Sequence, residues 1–203
     1  MHNKSLKEFS ELTASKNPTP GGGGVCALVA ALSSALGAMV TNLTIGKEKY
    51  IQYTNELNDI RKELEILRIN LLDCINKDAQ SFEPLTIAYK MDKSDPNYES
   101  MMEESLKVAA SSPLLILKYC TRIIDLDERL AVIGSKISVS DAATSVMLAH
   151  GAIYGAYVNV LVNTRLMKDT EYANNLQNEC NDLVNEYSDI AKQTYNKIIK
   201  RLS

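Results

Sequence analysis

Apolar residues at Tyr53, Leu57, Ile60, Leu64, Leu67, Leu71 and Cys74 fall in alternating steps of four and three. Such steps keep one stripe of a helix apolar over about six turns and are incompatible with a strand, whose faces alternate at every residue. A seam of that length needs other long helices beside it. The last helix, over about 171–202, repeats the pattern with Leu176, Cys180, Leu183, Tyr187 and Ile190. In the first seam the position four beyond Cys74 is Asp78, followed on the same face by Phe82 before Pro84 breaks or kinks the helix. A carboxylate thus holds a slot where the pattern expects a core residue.

Turn signals divide the rest of the chain into helices too. Ser5 suits the cap of a short first helix, about 5–15, that groups Leu6, Phe9 and Leu12. The loop 16–24 holds two prolines and four consecutive glycines, so regular structure is not expected there. A second helix, about 24–45, carries Val25, Leu28, Val29, Leu32, Leu36, Met39, Val40 and Leu43 on one stripe and Ala27, Ala30, Ala31, Ser34, Ala35 and Ala38 on another. Both sides are expected to be covered, the small one by a closely packed neighbour. The third helix starts near Lys47. Asp95 and Pro96 suit the start of the fourth, whose stripe is Met102, Leu106, Ala109, Pro113, Leu117, Cys120 and Ile124, kinked near Pro113 and ending near Gly134. The fifth begins near Asp141 behind an N-cap at Ser140, with Ala143, Met147, His150, Tyr154, Tyr157 and Leu161 on one face and Ala152, Ala156, Asn159 and Asn163 on another. The expected fold class is all-α: an up-and-down bundle of long amphipathic helices around a buried small-residue helix, in a single domain over 1–203.

Composition narrows the function classes. With 203 residues, 45% apolar and 23% charged, the chain can bury a full core and is neither disordered nor fibrous. A formal charge of -3 provides no basic surface for nucleic acid. Cys26, Cys74, Cys120 and Cys180 stand far apart at helical apolar positions, without the close pairs of zinc or redox motifs, and read as reduced thiols of a cytoplasmic protein. The start of the chain shows no signal peptide. The uncharged stretch 25–45 is long enough for a bilayer, but its polar residues and the lack of a second such segment point to a buried helix and no membrane contact.

Several residues could carry chemistry. Pro18, Thr19 and Pro20 lead into Gly21, Gly22, Gly23 and Gly24 and then an apolar helix. The glycines either let the loop close on a ligand, with helix amides attracting an anion, or permit a tight crossing of helices. No Gly-Lys-Ser or Gly-Lys-Thr follows, so this is not a P-loop. Asp78, once desolvated, acquires a raised pKa suited to proton transfer; the alternative is a capping carboxylate or one paired with Lys47 or Lys49. Asp141, at a helix start, fits a capping role. Asn159 and Asn163 either fix a helix contact or read the polar edges of a ligand. His150, between Met147 and Tyr154, reads as a hydrogen-bonded core histidine, and no second ligand stands at metal-site spacing, so no metal is expected.

Taken together, the run PTPGGGG ahead of an alanine-rich helix, MVTNLTIGKEKY at 39–50, DAQSF at 78–82, SDAAT at 140–144 and NVLVN at 159–163 resemble the formiminotransferase-cyclodeaminase C-terminal domain and its free-standing bacterial relatives, the methenyltetrahydrofolate cyclohydrolases. The likeness runs over nearly the whole chain. It implies a helical protomer that forms a homodimer and binds a reduced folate in a cleft near the subunit interface, with no cofactor beyond the tetrahydrofolate substrate. It implies hydrolysis of 5,10-methenyltetrahydrofolate to 10-formyltetrahydrofolate, ahead of ammonia-releasing closure of formiminotetrahydrofolate because no formiminotransferase domain accompanies the chain. A catalytically inactive helical dimer or interaction module is the third option. On this resemblance Asp78 transfers protons and Lys47 offsets or steers charge. Pro20 and Gly21 to Gly24 shape the pocket, while Asp141, Asn159 and Asn163 bond the pterin edge. The chain departs from the family's usual pattern at Gly24, where serine follows three glycines, around Ser135, where asparagines are usual, and near Met101 and Met102, where an arginine is expected.

Overall fold

The structure, a computed structural model, describes residues 3–202, so Met1 and His2, the start of the segment read as lacking a signal peptide, and Ser203 lie outside it. Ser5 caps α1 (Leu6–Thr13) with a complete capping box: its hydroxyl accepts from the Glu8 amide and the Glu8 carboxylate accepts from the Ser5 amide. Helix α2 (Gly22–Asn42) starts inside the glycine run, so Gly22, Gly23 and Gly24 form its first turn and not a loop. A 3-10 turn, Glu48–Tyr53, follows, and α3 (Thr54–Ala88) therefore begins later than Lys47 and passes through Pro84 without stopping. Helix α4 (Tyr98–Ile133) runs through Pro113 and ends on Gly134; it begins after Asn97, whose amide donates to the Asp95 carboxylate. Ser138, and not Ser140, precedes α5 (Val139–Thr164), and α6 (Thr170–Leu202) completes an all-α chain with no strand among the described residues.

Helix α2 packs on α3 and α5, α3 packs on α4, and α4 on α5, closing a four-helix bundle with α6 laid against α4 and α5. The stripes of α3 and α4 form its centre, with Leu57, Leu64, Leu71, Leu106, Leu117 and Ile124 fully buried. Glu56 and Glu63 of α3 pair with Arg129 and Arg122 of α4 along the outside. The Arg201 guanidinium donates to the carbonyls of Ala131, Val132 and Gly134, which satisfies the open end of α4 with a cation where the helix dipole favours one.

Helix α2 is oriented against its own amphipathic reading. Ala27, Ala30, Ala31, Ser33, Ser34, Gly37 and Ala38 are buried, whereas Leu32, Met39 and Leu43 are 49%, 45% and 40% exposed. Ser33 donates to the Ser145 carbonyl at 2.8 Å and Ser34 to that of Leu64 at 2.6 Å, so the small face carries no unpaired hydroxyl. Small side chains let neighbours approach closely: a Cβ at Gly155 of α5 would lie 2.4 Å from the Cys26 sulfur. Helix α5 behaves alike, burying Ala142, Ala149, Ala152 and Ala156 while Met147, Tyr154, Val158 and Val162 face outward. Within the protomer only one side of α2 is covered. Both α2 and α5 are long and apolar enough to cross a membrane, so the stretch at α2 has a counterpart that the sequence reading missed.

Candidate active site

The first turn of α2, Asp78 of α3, Ala109 and Pro113 of α4, and Asn159 and Asn163 of α5 meet at one end of the bundle. Together with Pro18, Thr19, Gly21, Ser81 and Phe82 they line a cavity of about 130 Å³. Pockets that enclose a drug-sized molecule run to about 300–1,000 Å³, so this one takes an end of a ligand and leaves the rest to adjoining grooves.

Two glycines make the cavity possible. A Cβ at Gly23 would sit 2.2 Å from Asp78 Oδ1, and one at Gly22 would sit 3.0 Å from Asn159 Nδ2. Bare backbone therefore presses on both side chains, and Asp78 accepts a hydrogen bond from the Gly24 amide at the open N-terminus of α2. Burial raises the Asp78 pKa above the ordinary carboxylate range, and the Gly24 amide opposes that shift. Among the described residues no cation pairs with the group. Lys47 Nζ donates to Ser135 Oγ at 3.2 Å and Lys49 lies over the Tyr50 ring, so neither makes the ion pair that the sequence left open. Pro20 is buried behind the turn, with its Cβ 3.3 Å from the Cβ position of Gly24, and does not line the cavity.

Asn159 and Asn163 each turn one side-chain N–H back onto α5, to the Gly155 and Asn159 carbonyls at 2.8 Å. Their side-chain carbonyls are left to accept from a ligand's N–H groups. Gly21, Gly22, Gly23, Asp78, Asn159 and Asn163 thus converge, but Lys47 and Asp141 do not join them. Helix α2 separates the two groups by its 21 residues, about 30 Å. Because α5 runs antiparallel to α2, its first turn lies at the far end, where Lys47 bonds Ser135, Ser135 and Ser138 share a 2.8 Å hydroxyl contact, and the Asp141 amide donates to the Ser138 carbonyl.

One acid escaped the sequence reading. Asp127 is fully buried on α4, with Oδ2 accepting from Ser145 Oγ at 2.6 Å and Oδ1 unpartnered. Burial drives its pKa well above the usual value, since a carboxylate there is cut off from water, and the Ser145 hydrogen bond opposes that shift. The signal was available, since the stripe through Leu117, Cys120 and Ile124 reaches position 127 at the next step of three. It faces Gly37, about 20 Å along α2 from the cavity. His150 is the hydrogen-bonded core histidine expected: its Nε2 lies 3.0 Å from Ser188 Oγ, to which Tyr154 also donates. The four cysteines are free, and burial lifts the thiols of Cys26 and Cys74 to about 11.

Comparison with known proteins supplies the family. The family model described as Formiminotransferase-cyclodeaminase matches residues 5–182. A methenyltetrahydrofolate cyclohydrolase of Methylorubrum extorquens is 32% identical over 99% of this chain and 99% of its own. The formimidoyltransferase-cyclodeaminase of Rattus norvegicus is 26% identical over 90% of this chain, which spans only 34% of the rat protein. A crystal structure of formiminotetrahydrofolate cyclodeaminase from Thermotoga maritima superposes with a TM-score of 0.84 at 30% identity, covering 98% of this chain and 96% of that one. With a family match over most of its length, and end-to-end likeness to a relative above 30% identity, the chain belongs to the formiminotransferase-cyclodeaminase family.

Proposed function

We propose that the protein is a folate-dependent one-carbon enzyme that hydrolyses 5,10-methenyltetrahydrofolate to 10-formyltetrahydrofolate. The observation that carries this reading is Asp78, a desolvated carboxyl with no cation paired to it among the described residues, held by the Gly24 amide in a cavity whose other wall offers the Asn159 and Asn163 carbonyls. The end-to-end likeness to the Methylorubrum cyclohydrolase supports the choice of reaction. The methenyl bridge is a cationic carbon between N5 and N10, which a carboxylate in poorly solvated surroundings attracts more strongly than one in water. Water adds to that carbon and gives a proton to Asp78. The tetrahedral carbon then breaks its bond to N5, which takes the proton back, while the remaining hydroxyl proton leaves as the formyl carbonyl forms. Cation and water thus become the neutral formyl group and one proton. Burial raises the Asp78 pKa, so the group holds a proton more readily than a free carboxylate and can return it to N5. Asn159 and Asn163 accept from the N–H groups of the pterin edge, which need partners once buried.

Closure of formiminotetrahydrofolate uses the same group and is the alternative favoured by the Thermotoga likeness. There N10 attacks the carbon of the formimino group in its protonated form, and Asp78 carries the N10 proton to the departing NH2 group, which leaves as ammonia with the methenyl cation as the other product. Either reaction needs only the folate itself and suits a cytoplasmic enzyme with reduced thiols.

The enzyme acts as a homodimer in this reading. The outward stripes of α2 and α5 leave Leu32, Met39, Leu43, Met147, Tyr154 and Val158 uncovered. A two-fold axis across the middle of α2 covers them and carries the partner's Lys47 cluster to this protomer's Asp78, over the 30 Å or so that divides the two groups in one chain. Lys47 and Asp141 then serve the site from the opposite subunit.

Purified protein is expected to remove the absorbance of methenyltetrahydrofolate faster than buffer does. A gain of that absorbance from formiminotetrahydrofolate selects the cyclodeaminase instead. No change with either substrate, and no folate bound by calorimetry, overturns the reading.

A further inference from the structure

Prolines stand inside two of the long helices, Pro84 in α3 and Pro113 in α4. A proline has no N–H to give the carbonyl four residues back, and its ring pushes that carbonyl away from the helix axis. The carbonyls released in this way are those of Gln80 and Ala109. Gln80 is exposed, so its carbonyl reaches water and needs no other partner. Ala109 is only 5% exposed and Pro113 is buried beside it, and both line the cavity that holds Asp78, Asn159 and Asn163. The hydroxyl best placed to replace the missing N–H does not do so. Ser111 and Thr121 each donate to the carbonyl three residues back, at 2.7 and 2.8 Å, but Ser112, three residues beyond Ala109, has no hydrogen-bond partner. A buried acceptor in this position calls for a donor from a ligand.

We propose that the Ala109 carbonyl, released by Pro113, is a specificity-determining acceptor for the 2-amino group of the substrate's pterin, an inference that rests on the folate reading above. A helical carbonyl points along the axis toward the residue four positions on, and here both residues belong to the cavity wall. The carbonyl therefore joins the Asp78 carboxyl of α3 and the Asn159 and Asn163 side-chain carbonyls of α5, so that three helices present acceptors to one ligand. An amino group projecting from a ring edge carries two hydrogens on one nitrogen. It engages acceptors on two helices at once, Ala109 on α4 and an asparagine on α5. A ring with oxygen at that position sets acceptor against acceptor, and one with a methyl group leaves the carbonyl unpaired; both are rejected. Held by the helix, the Ala109 carbonyl loses no side-chain freedom when it binds.

The test is calorimetric binding of tetrahydrofolate and of its 2-desamino-2-methyl analogue to the native protein and to Pro113→Ala, which restores the N–H that pairs the Ala109 carbonyl. The thermal midpoint of the variant should rise by about 4–10 °C, because a proline has left a helix interior. Its affinity for tetrahydrofolate should nevertheless fall by about 5- to 50-fold, as for a buried donor left unpaired, and its affinity for the methyl analogue should be unchanged. A proline that only shapes the helix would move both ligands together, so equal weakening of the two, or a thermal midpoint that falls, overturns the proposal. A second measurement needs no variant. Alanine labelled with carbon-13 at the carbonyl and with nitrogen-15 reports only on adjacent alanines, and Ala109 with Ala110 is one of three such pairs, beside Ala30 with Ala31 and Ala142 with Ala143. The Ala109 carbonyl resonance should move downfield with tetrahydrofolate and stay in place with the methyl analogue; an unmoved resonance overturns the proposal. Native protein that binds both ligands equally tightly overturns the Ala109 role alone, and native protein that binds neither overturns the functional reading with it.

Discussion

Asp78 and Asp127 occupy the same kind of slot, the next step of an apolar seam, and differ in what surrounds them. Asp78 opens on a cavity and a glycine turn; Asp127 is sealed between Ser145 and Gly37. Replacing Asp78 by Asn removes the proton carrier while keeping its shape. Turnover is expected to fall by about 10²–10⁴-fold with folate affinity largely kept, and near-normal turnover removes the assignment. Gly23→Ala tests the close approach, because its Cβ must displace the Asp78 carboxyl; kcat should fall further than thermal stability does. For Asp127 the sign of the pH effect follows from its raised pKa. The native state binds the proton more tightly than the unfolded chain, whose carboxyl titrates at about 3.9, so the stability it contributes is full below that pH and is lost as pH rises through the folded value. Asp127→Asn abolishes that dependence. Urea midpoints of the two proteins from pH 4 upward should diverge in favour of the variant, and parallel curves would contradict a raised pKa at Asp127.

At the scale of the helix, α3 and α4 were legible because large side chains stand on one stripe only and that stripe is the core. Helix α2 was not, since both its faces are apolar and hydrophobicity cannot choose between them. Volume chose: the face of alanine, serine and glycine turns inward because it lets α3 and α5 come close, with Ser33 and Ser34 satisfied by their neighbours' carbonyls. Ala30→Leu, on the inward face, should therefore cost about 1–3 kcal/mol in urea unfolding. Leu32→Ala, at a residue the amphipathic reading placed in the core, should change protomer stability by no more than about 0.5 kcal/mol. The reverse order of effects would mean that α2 sits the other way round. Pro84 and Pro113 misled for a related reason. Each removes one helical hydrogen bond, but the long apolar stripes on both sides of them hold the helix continuous.

At the scale of the molecule, the Lys47 group and the Asp78 group cannot meet within one protomer, and the uncovered stripes of α2 and α5 offer the way to unite them. A composite site makes a distinctive prediction. Asp78→Asn and Lys47→Met proteins, each impaired alone, should recover about a quarter of native activity after mixing and exchange of subunits, because half of the dimers then contain one intact site. No recovery, with exchange verified by mass, places Lys47 outside the reaction. What the sequence determined by itself was local: helices from the period of their apolar residues, a carboxylate in a seam, a glycine turn before a helix, and motifs whose order identified the family. Which motifs share a site, which face of α2 is inside, and that Asp127 is sealed while Asp78 is open were decided by tertiary structure. The reason is physical. Periodicity records which side of a helix avoids water, whereas proximity between distant segments depends on helix direction, side-chain volume and the surface left for a second chain.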